Sequence, residues 1–242
     1  MQHDTLSYEA DGLGMVSRLF LGAGDGPRAG VLVFPDLFGI GEHSIERAER
    51  LASMGYAALA CDLHGSGTTL TDFSAAMEEL RALAAQPDRI RARAAGALAA
   101  LTARPEVDGG RIGAIGFCFG GTIALELARS GADVKAVVGF HSDLATAAPP
   151  TAAGGIRSRI LACIGADDPL IPAEQRLGFE KEMGTAGADW QMHLYGGVVH
   201  NFTNPRSAAM NMPEAVRYDA YADKHSWTLM QALFEDALGG IA

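Results

Sequence analysis

Short apolar runs recur along the chain, separated by stretches with helical periodicity. The runs at 15–21, 31–34, 57–61, 112–115, 136–140 and 160–164 are rich in Val, Ile, Leu and Ala, 191–195 is a more mixed run, and turn-forming residues bound them, so each predicts a strand. Helices are predicted to begin near Ser44, Phe73, Pro87, Phe119, Pro172 and Pro213. Pro172 and Pro213 suit a first helical turn, where a missing N–H leaves no bond unmade. The Ala-rich stretch 89–103 is a strong helix former rather than low-complexity filler. Alternation of strand and helix predicts an α/β class, a mostly parallel, doubly wound sheet with helices on both faces. No repeat, charged tail or long linker divides the chain, so residues 1–242 read as one domain. The connection after the 136–140 strand, residues 141–159, is too short for a sizeable lid, which predicts an open cleft.

Composition narrows the function without naming it. The 242 residues are 48% hydrophobic and 20% charged, enough for one sizeable core. A net charge of −10 argues against nucleic acid and anionic membrane surfaces, both of which need a basic face. No apolar run reaches the ~18 residues of a membrane span, and the opening residues lack the pattern of a signal peptide. Cys61, Cys118 and Cys163 make an odd count, and Cys61 and Cys163 lie within strand-like runs, which fits inert buried thiols and a reducing, cytoplasmic setting. A monomer or weak homo-oligomer is expected.

Chemistry concentrates at Gly116-Phe117-Cys118-Phe119-Gly120-Gly121, where a strand passes straight into a helix. Gly-x-Cys-x-Gly-Gly is the pattern of a nucleophile elbow, with cysteine in place of the usual serine. Glycine is required on both sides because Cβ atoms there would collide as strand and helix close together. A phosphate cradle is the weaker reading, since neither a Gly-Lys-Ser/Thr nor a dinucleotide spacing is present. A small buried apolar cysteine is the plain structural alternative.

Such an elbow resembles that of the α/β-hydrolase fold, in which the triad runs nucleophile, acid, histidine along the chain. The acid should follow the 160–164 strand, where Asp167 and Asp168 are adjacent. Asp168 is favoured, because in hydrolases of this type the acid stands four residues before the proline that opens the next helix. The base should follow the last strand, where a Gly-rich loop delivers His200. His3, His193 and His225 fall on a terminus, a strand and a helix; His43 sits near a helix start; His64 and His141 follow strands that precede or crowd the nucleophile. The oxyanion donors should be the backbone N–H groups of Phe119 and Leu37.

Pro35-Asp36-Leu37-Phe38-Gly39, Asp62-Leu63-His64-Gly65, the cysteine elbow, Phe140-His141, Asp168-Pro169-Leu170-Ile171-Pro172 and His200-Asn201-Phe202 together resemble the dienelactone hydrolase family over nearly the whole chain. The resemblance implies a Cys-His-Asp hydrolase of lactones or small esters, forming an acyl-thioester without cofactor or metal. It also implies a thiol-modulating carboxylate, but Asp36 stands where the better-studied members carry glutamate, one methylene longer. A turn role for Asp36 is the alternative. The family clamps its substrate's carboxylate with arginines; Arg81 and Arg206 lie in suitable regions, with His141 and Phe38 as further substrate-contact candidates. A non-catalytic ligand-binding protein of the same fold, and a redox-responsive thiol, are the competing functions.

Overall fold

The protein is described here from a computed structural model covering residues 1–24, 26–148 and 151–240. Its strands are β1 (Gln2–Ala10), β2 (Leu13–Leu21), β3 (Arg28–Phe34), β4 (Ala57–Ala60), β5 (Val107–Phe117), β6 (Ala136–Phe140), β7 (Arg159–Gly165) and β8 (Trp190–Tyr195). The helices are α1 (Glu42–Ser53), α2 (Phe73–Ala84), α3 (Pro87–Thr102), α4 (Phe119–Arg129), α5 (Ala173–Ala186) and α6 (Ala220–Leu238). One 8-stranded sheet has the order β1-β2-β4-β3-β5-β6-β7-β8. β3 to β8 pair in parallel, whereas β2 runs antiparallel to both β1 and β4.

The central strands are continuous apolar runs because both of their faces are covered. On one face Ile90, Leu101, Ile123, Leu127 and Phe179 of α3, α4 and α5 pack against Leu32, Ala114 and Ala162. On the other, Leu51 of α1 and Trp227, Met230 and Phe234 of α6 cover Val31, Val33, Ile115 and Val138. This is the expected α/β-hydrolase arrangement, and among the described residues no helix stands between β6 and β7.

Three elements depart from the sequence reading. β1 is absent from the predicted strands because its side chains are mostly exposed and show no apolar run. Its signal lay instead in Asp11-Gly12, which have φ of 52° and 71° and close a two-residue hairpin to β2. The helix predicted at Pro213 does not form. Residues 213–215 are turns, and α6 begins at Ala220, where Asp219 caps it by accepting the Ala222 N–H at 2.8 Å. The freed segment pairs with the histidine loop: the His200 N–H donates to the Ala215 carbonyl and the Arg217 N–H to the His200 carbonyl, each at 3.0 Å. Pro172 is the N-cap of α5 rather than its first helical residue.

Candidate active site

β5 enters the elbow at Phe117, and Cys118 then takes φ 54° and ψ −123° before α4 begins. A non-glycine residue there carries about 1–3 kcal/mol of strain. A Cβ on Gly116 would run into the Gly120 carbonyl, and one on Gly120 into the carbonyls of Phe34 and Pro35. The two glycines thus let the β5–α4 turn close and let the loop after β3 lie against it. Cys118 is half-buried and opens on a cavity of about 390 Å³ that His200 also lines.

His200 reaches the same edge on the loop after β8. Its Nδ1 is 2.8 Å from Oδ2 of Asp168, whose side chain is buried at the end of β7. The other Asp168 oxygen accepts the Leu170 N–H at 2.9 Å, which fixes the carboxylate's rotation. Asp167 is exposed, and among the described residues only its N–H is engaged, with the Val198 carbonyl at 3.1 Å. The neighbouring aspartates are thereby separated by environment, and only Asp168 meets the histidine.

Burial disfavours a charged His200. A negative charge on Cys118 and the Asp168 hydrogen bond outweigh that burial and raise the imidazole to about 10. Its Nε2 is buried and has no hydrogen-bond partner among the described residues. A buried ring nitrogen without such a partner, on the cavity that Cys118 also lines, is suited to exchanging a proton with the thiol.

Leu37 and Phe119 both line the cavity. Phe119 is the first residue of α4, where backbone N–H groups have no helical acceptor. The Leu37 loop is held from behind by His64, whose Nε2–H donates to the Leu37 carbonyl at 2.9 Å. Asp36 is tied into the same turn: its Oδ1 accepts the Phe38 N–H at 3.0 Å. No hydrogen bond joins Asp36 to Cys118 among the described residues. Burial pushes its carboxyl up, opposed by the Phe38 N–H and the charge of His200. The geometry is that of a turn-forming aspartate.

The substrate-contact candidates all fall outside the cavity lining. His141 is fully buried, with φ 42°, and both ring nitrogens are engaged. Nδ1 accepts the Cys118 N–H at 3.1 Å, so Nε2 carries the proton and donates to Thr203 Oγ1 at 2.8 Å. It props the elbow and the histidine loop against each other and has no surface for a substrate. Arg81 is exposed on α2. Arg206 is held by Glu42 and Glu46 of α1, with N–O distances of 2.7 and 2.5 Å. Phe38 sits behind Phe73, their ring centroids 6.5 Å apart.

What lines the cavity instead is an apolar stripe of α2, Phe73, Met77, Leu80 and Ala84, together with Met210 and Met212. The 4-3-4 spacing of the stripe is visible in the sequence, but Ala76 and Leu83 mark a second face buried in the core. Two faces of one helix are apolar, and only docking against the sheet decides which lines the cavity.

Behind His141, His43 accepts from Arg47 Nε at 3.3 Å, and Arg47 pairs with Asp223 at 2.8 Å. Burial, then the Arg47 charge, pushes His43 down to about 3. The unfolded chain takes up this proton near pH 6.5 and the folded chain does not. The associated stability is therefore complete above pH 6.5 and is lost as pH falls toward 3, by up to about 1.4 kcal/mol per pH unit. Urea midpoints measured from pH 7 to pH 4 are expected to fall less steeply in His43→Gln; identical slopes would overturn the neutral assignment.

The sheet order, the elbow and the position of the His loop define an α/β-hydrolase. Within that fold the chain belongs to the dienelactone hydrolase family, whose sequence profile matches residues 18–238. A dienelactone hydrolase-like promiscuous phosphotriesterase, P91, from metagenomic libraries is 40% identical, with a TM-score of 0.90 over 98% of this chain and 99% of its own. The dienelactone hydrolase of Anabaena variabilis, 20% identical over 95% of this chain and 97% of its own, shares the fold with a TM-score of 0.67. A Methylorubrum extorquens relative, provisionally named a carboxymethylenebutenolidase, is 29% identical over 73% of this chain and 64% of its own length. Among the described residues no helix is long and apolar enough to cross a membrane, and no cluster of three metal-binding side chains occurs.

Proposed function

We propose that the protein hydrolyses small lactones or carboxylic esters with Cys118 as nucleophile, His200 as base and acid, and Asp168 as the residue that orients His200. The observation that carries this reading is the Asp168–His200 hydrogen bond, which turns Nε2 toward the cavity that Cys118 lines. With the thiol proton held on His200, Cys118 Sγ attacks the carbonyl carbon. The oxyanion accepts from the N–H groups of Leu37 and Phe119, each contributing about 3 kcal/mol in comparable sites. Collapse expels the alkoxide, which leaves with the proton from His200. A water deprotonated by His200 then hydrolyses the thioester and regenerates the thiol.

The direct test is turnover of an activated aryl ester, with rapid acid quench and peptide mapping. An acyl group is expected on Cys118 in the first turnover. Turnover with no acyl group on Cys118 would remove the covalent mechanism, and no turnover across lactones, aryl esters and thioesters would favour a ligand-binding role.

Alkylation supplies an independent check. Cys61 and Cys163 are fully buried, which pushes both thiols up, Cys163 to about 12. Iodoacetamide is expected to label Cys118 far faster than either. Equal labelling of the three would sink the elbow assignment. The same assay tests Asp36 as a thiol modulator: an alkylation rate in Asp36→Ala that tracks the parent at every pH would leave it the turn role alone.

A further inference from the structure

The cavity beside Cys118 carries a statement about substrate charge, which rests on the hydrolase reading above. Its walls are largely apolar: Phe73, Met77 and Leu80 from α2, with Leu170, Met210 and Met212 from the segments after β7 and β8. No lysine or arginine is among its lining residues. Apart from His200, whose charge is met by its hydrogen bond to Asp168, the formal charges on the wall are negative, from Glu126 and Asp143.

Both are already committed. Glu126 is buried and accepts from Arg91 at 2.9 Å and from Arg129 at 3.1 Å, and Arg129 also pairs with Glu182 at 2.8 Å, so the two guanidiniums are matched by two carboxylates where they stand. Asp143 is exposed and holds its own loop by accepting the Ala145 N–H at 2.9 Å. Arg206 is locked to Glu42 and Glu46, and Arg81 faces solvent. A carboxylate entering this cavity would shed water, meet no unspent cation and approach Asp143. The mouth shows the complementary preference. Phe73, Leu170 and Met212 are 44%, 57% and 39% exposed, unusually open for side chains of this size, and an apolar substrate would cover them.

We propose that this protein takes uncharged esters or lactones with an apolar acyl chain seated against α2, and turns away substrates whose acyl chain ends in a free carboxylate. This differs from the carboxylate clamp that the family resemblance implies, and the difference lies in the wall of α2 rather than in the reacting groups.

The test uses two esters with one leaving group, 4-nitrophenyl hexanoate and the 4-nitrophenyl half-ester of adipic acid. Their acyl chains are equally long and end in a methyl group and a carboxylate. The expected kcat/KM is about a hundredfold higher for the hexanoate, the penalty of an unpaired carboxylate in an apolar pocket. A ratio below about tenfold, or a preference for the adipate half-ester, would overturn the inference while leaving the hydrolase reading standing. Turnover of neither ester would instead strike the hydrolase reading itself, and the inference with it. Met77→Arg adds a cation to the half-buried wall and is expected to narrow the ratio by raising turnover of the adipate half-ester. An unchanged ratio in a folded variant that still cleaves the hexanoate would show that wall charge is not the cause.

Discussion

Cys118→Ala and His200→Ala are each expected to lower kcat for an aryl ester by on the order of 10⁴–10⁶, with the double variant little worse than either single one. In the proposed mechanism the thiol and imidazole act through one proton, so removing either partner removes the whole step. The residue left behind is a cavity with oxyanion donors and no nucleophile, which binds substrate and leaves KM within a few-fold. Neither substitution should unfold the chain. Alanine at 118 occupies a left-handed position that Cys already tolerates, and His200 keeps its loop through backbone bonds to Ala215 and Arg217. Far-UV circular dichroism and thermal midpoints close to the parent would establish this. Either single variant retaining more than about a tenth of parental kcat would refute the assigned roles, and additive losses in the double variant would separate the two residues mechanistically.

Asp168→Asn is expected to lower kcat by about 10⁴, whereas Asp167→Asn should stay within about twofold. Asn at 168 keeps an acceptor for the Leu170 N–H, but it cannot fill both of the aspartate's roles. If its oxygen caps the loop, its amide N–H₂ faces His200 Nδ1 and selects the tautomer with the proton on Nε2. That ring cannot take the thiol proton. Loss of the carboxylate also removes one of the interactions that hold the imidazole's pKa up, so the variant's residual activity should titrate at lower pH than the parent's. Asp167 contributes a backbone N–H to Val198 and a solvated side chain, neither of which changes in asparagine. A large loss in Asp167→Asn with a mild one in Asp168→Asn would transfer the role.

Much of the architecture was legible because it is locally encoded. The runs that became β3, β4, β5, β6 and β7 are apolar on both faces, the mark of a strand covered on both sides. The elbow was legible for a stereochemical reason: Gly116 and Gly120 are intolerant of a Cβ, and that intolerance is written in the residues themselves. β1 was missed because an edge strand lying mostly in solvent has no apolar signature, leaving only its Asp-Gly turn. Pro213 misled because proline is equally at home in a helix start and in an irregular segment, and the competition was won by the backbone of His200, 13 residues earlier in the chain.

The sequence by itself determined the order of the candidate groups along the chain: Leu37 in the loop after β3, a cysteine between glycines after β5, paired aspartates after β7 and a histidine after β8. Strand alternation and turn chemistry need only neighbours a few residues away, so they survive without coordinates. Only the tertiary structure decided which of two adjacent aspartates meets His200, that His141 braces the elbow from within the core, and that Arg81 and Arg206 stand clear of the cavity. Each of those outcomes depends on the direction of a side chain relative to a partner tens of residues distant. Packing sets that direction, because hydrogen bonds hold the buried Asp168 and His141 side chains, and salt bridges to α1 hold Arg206 away from the site.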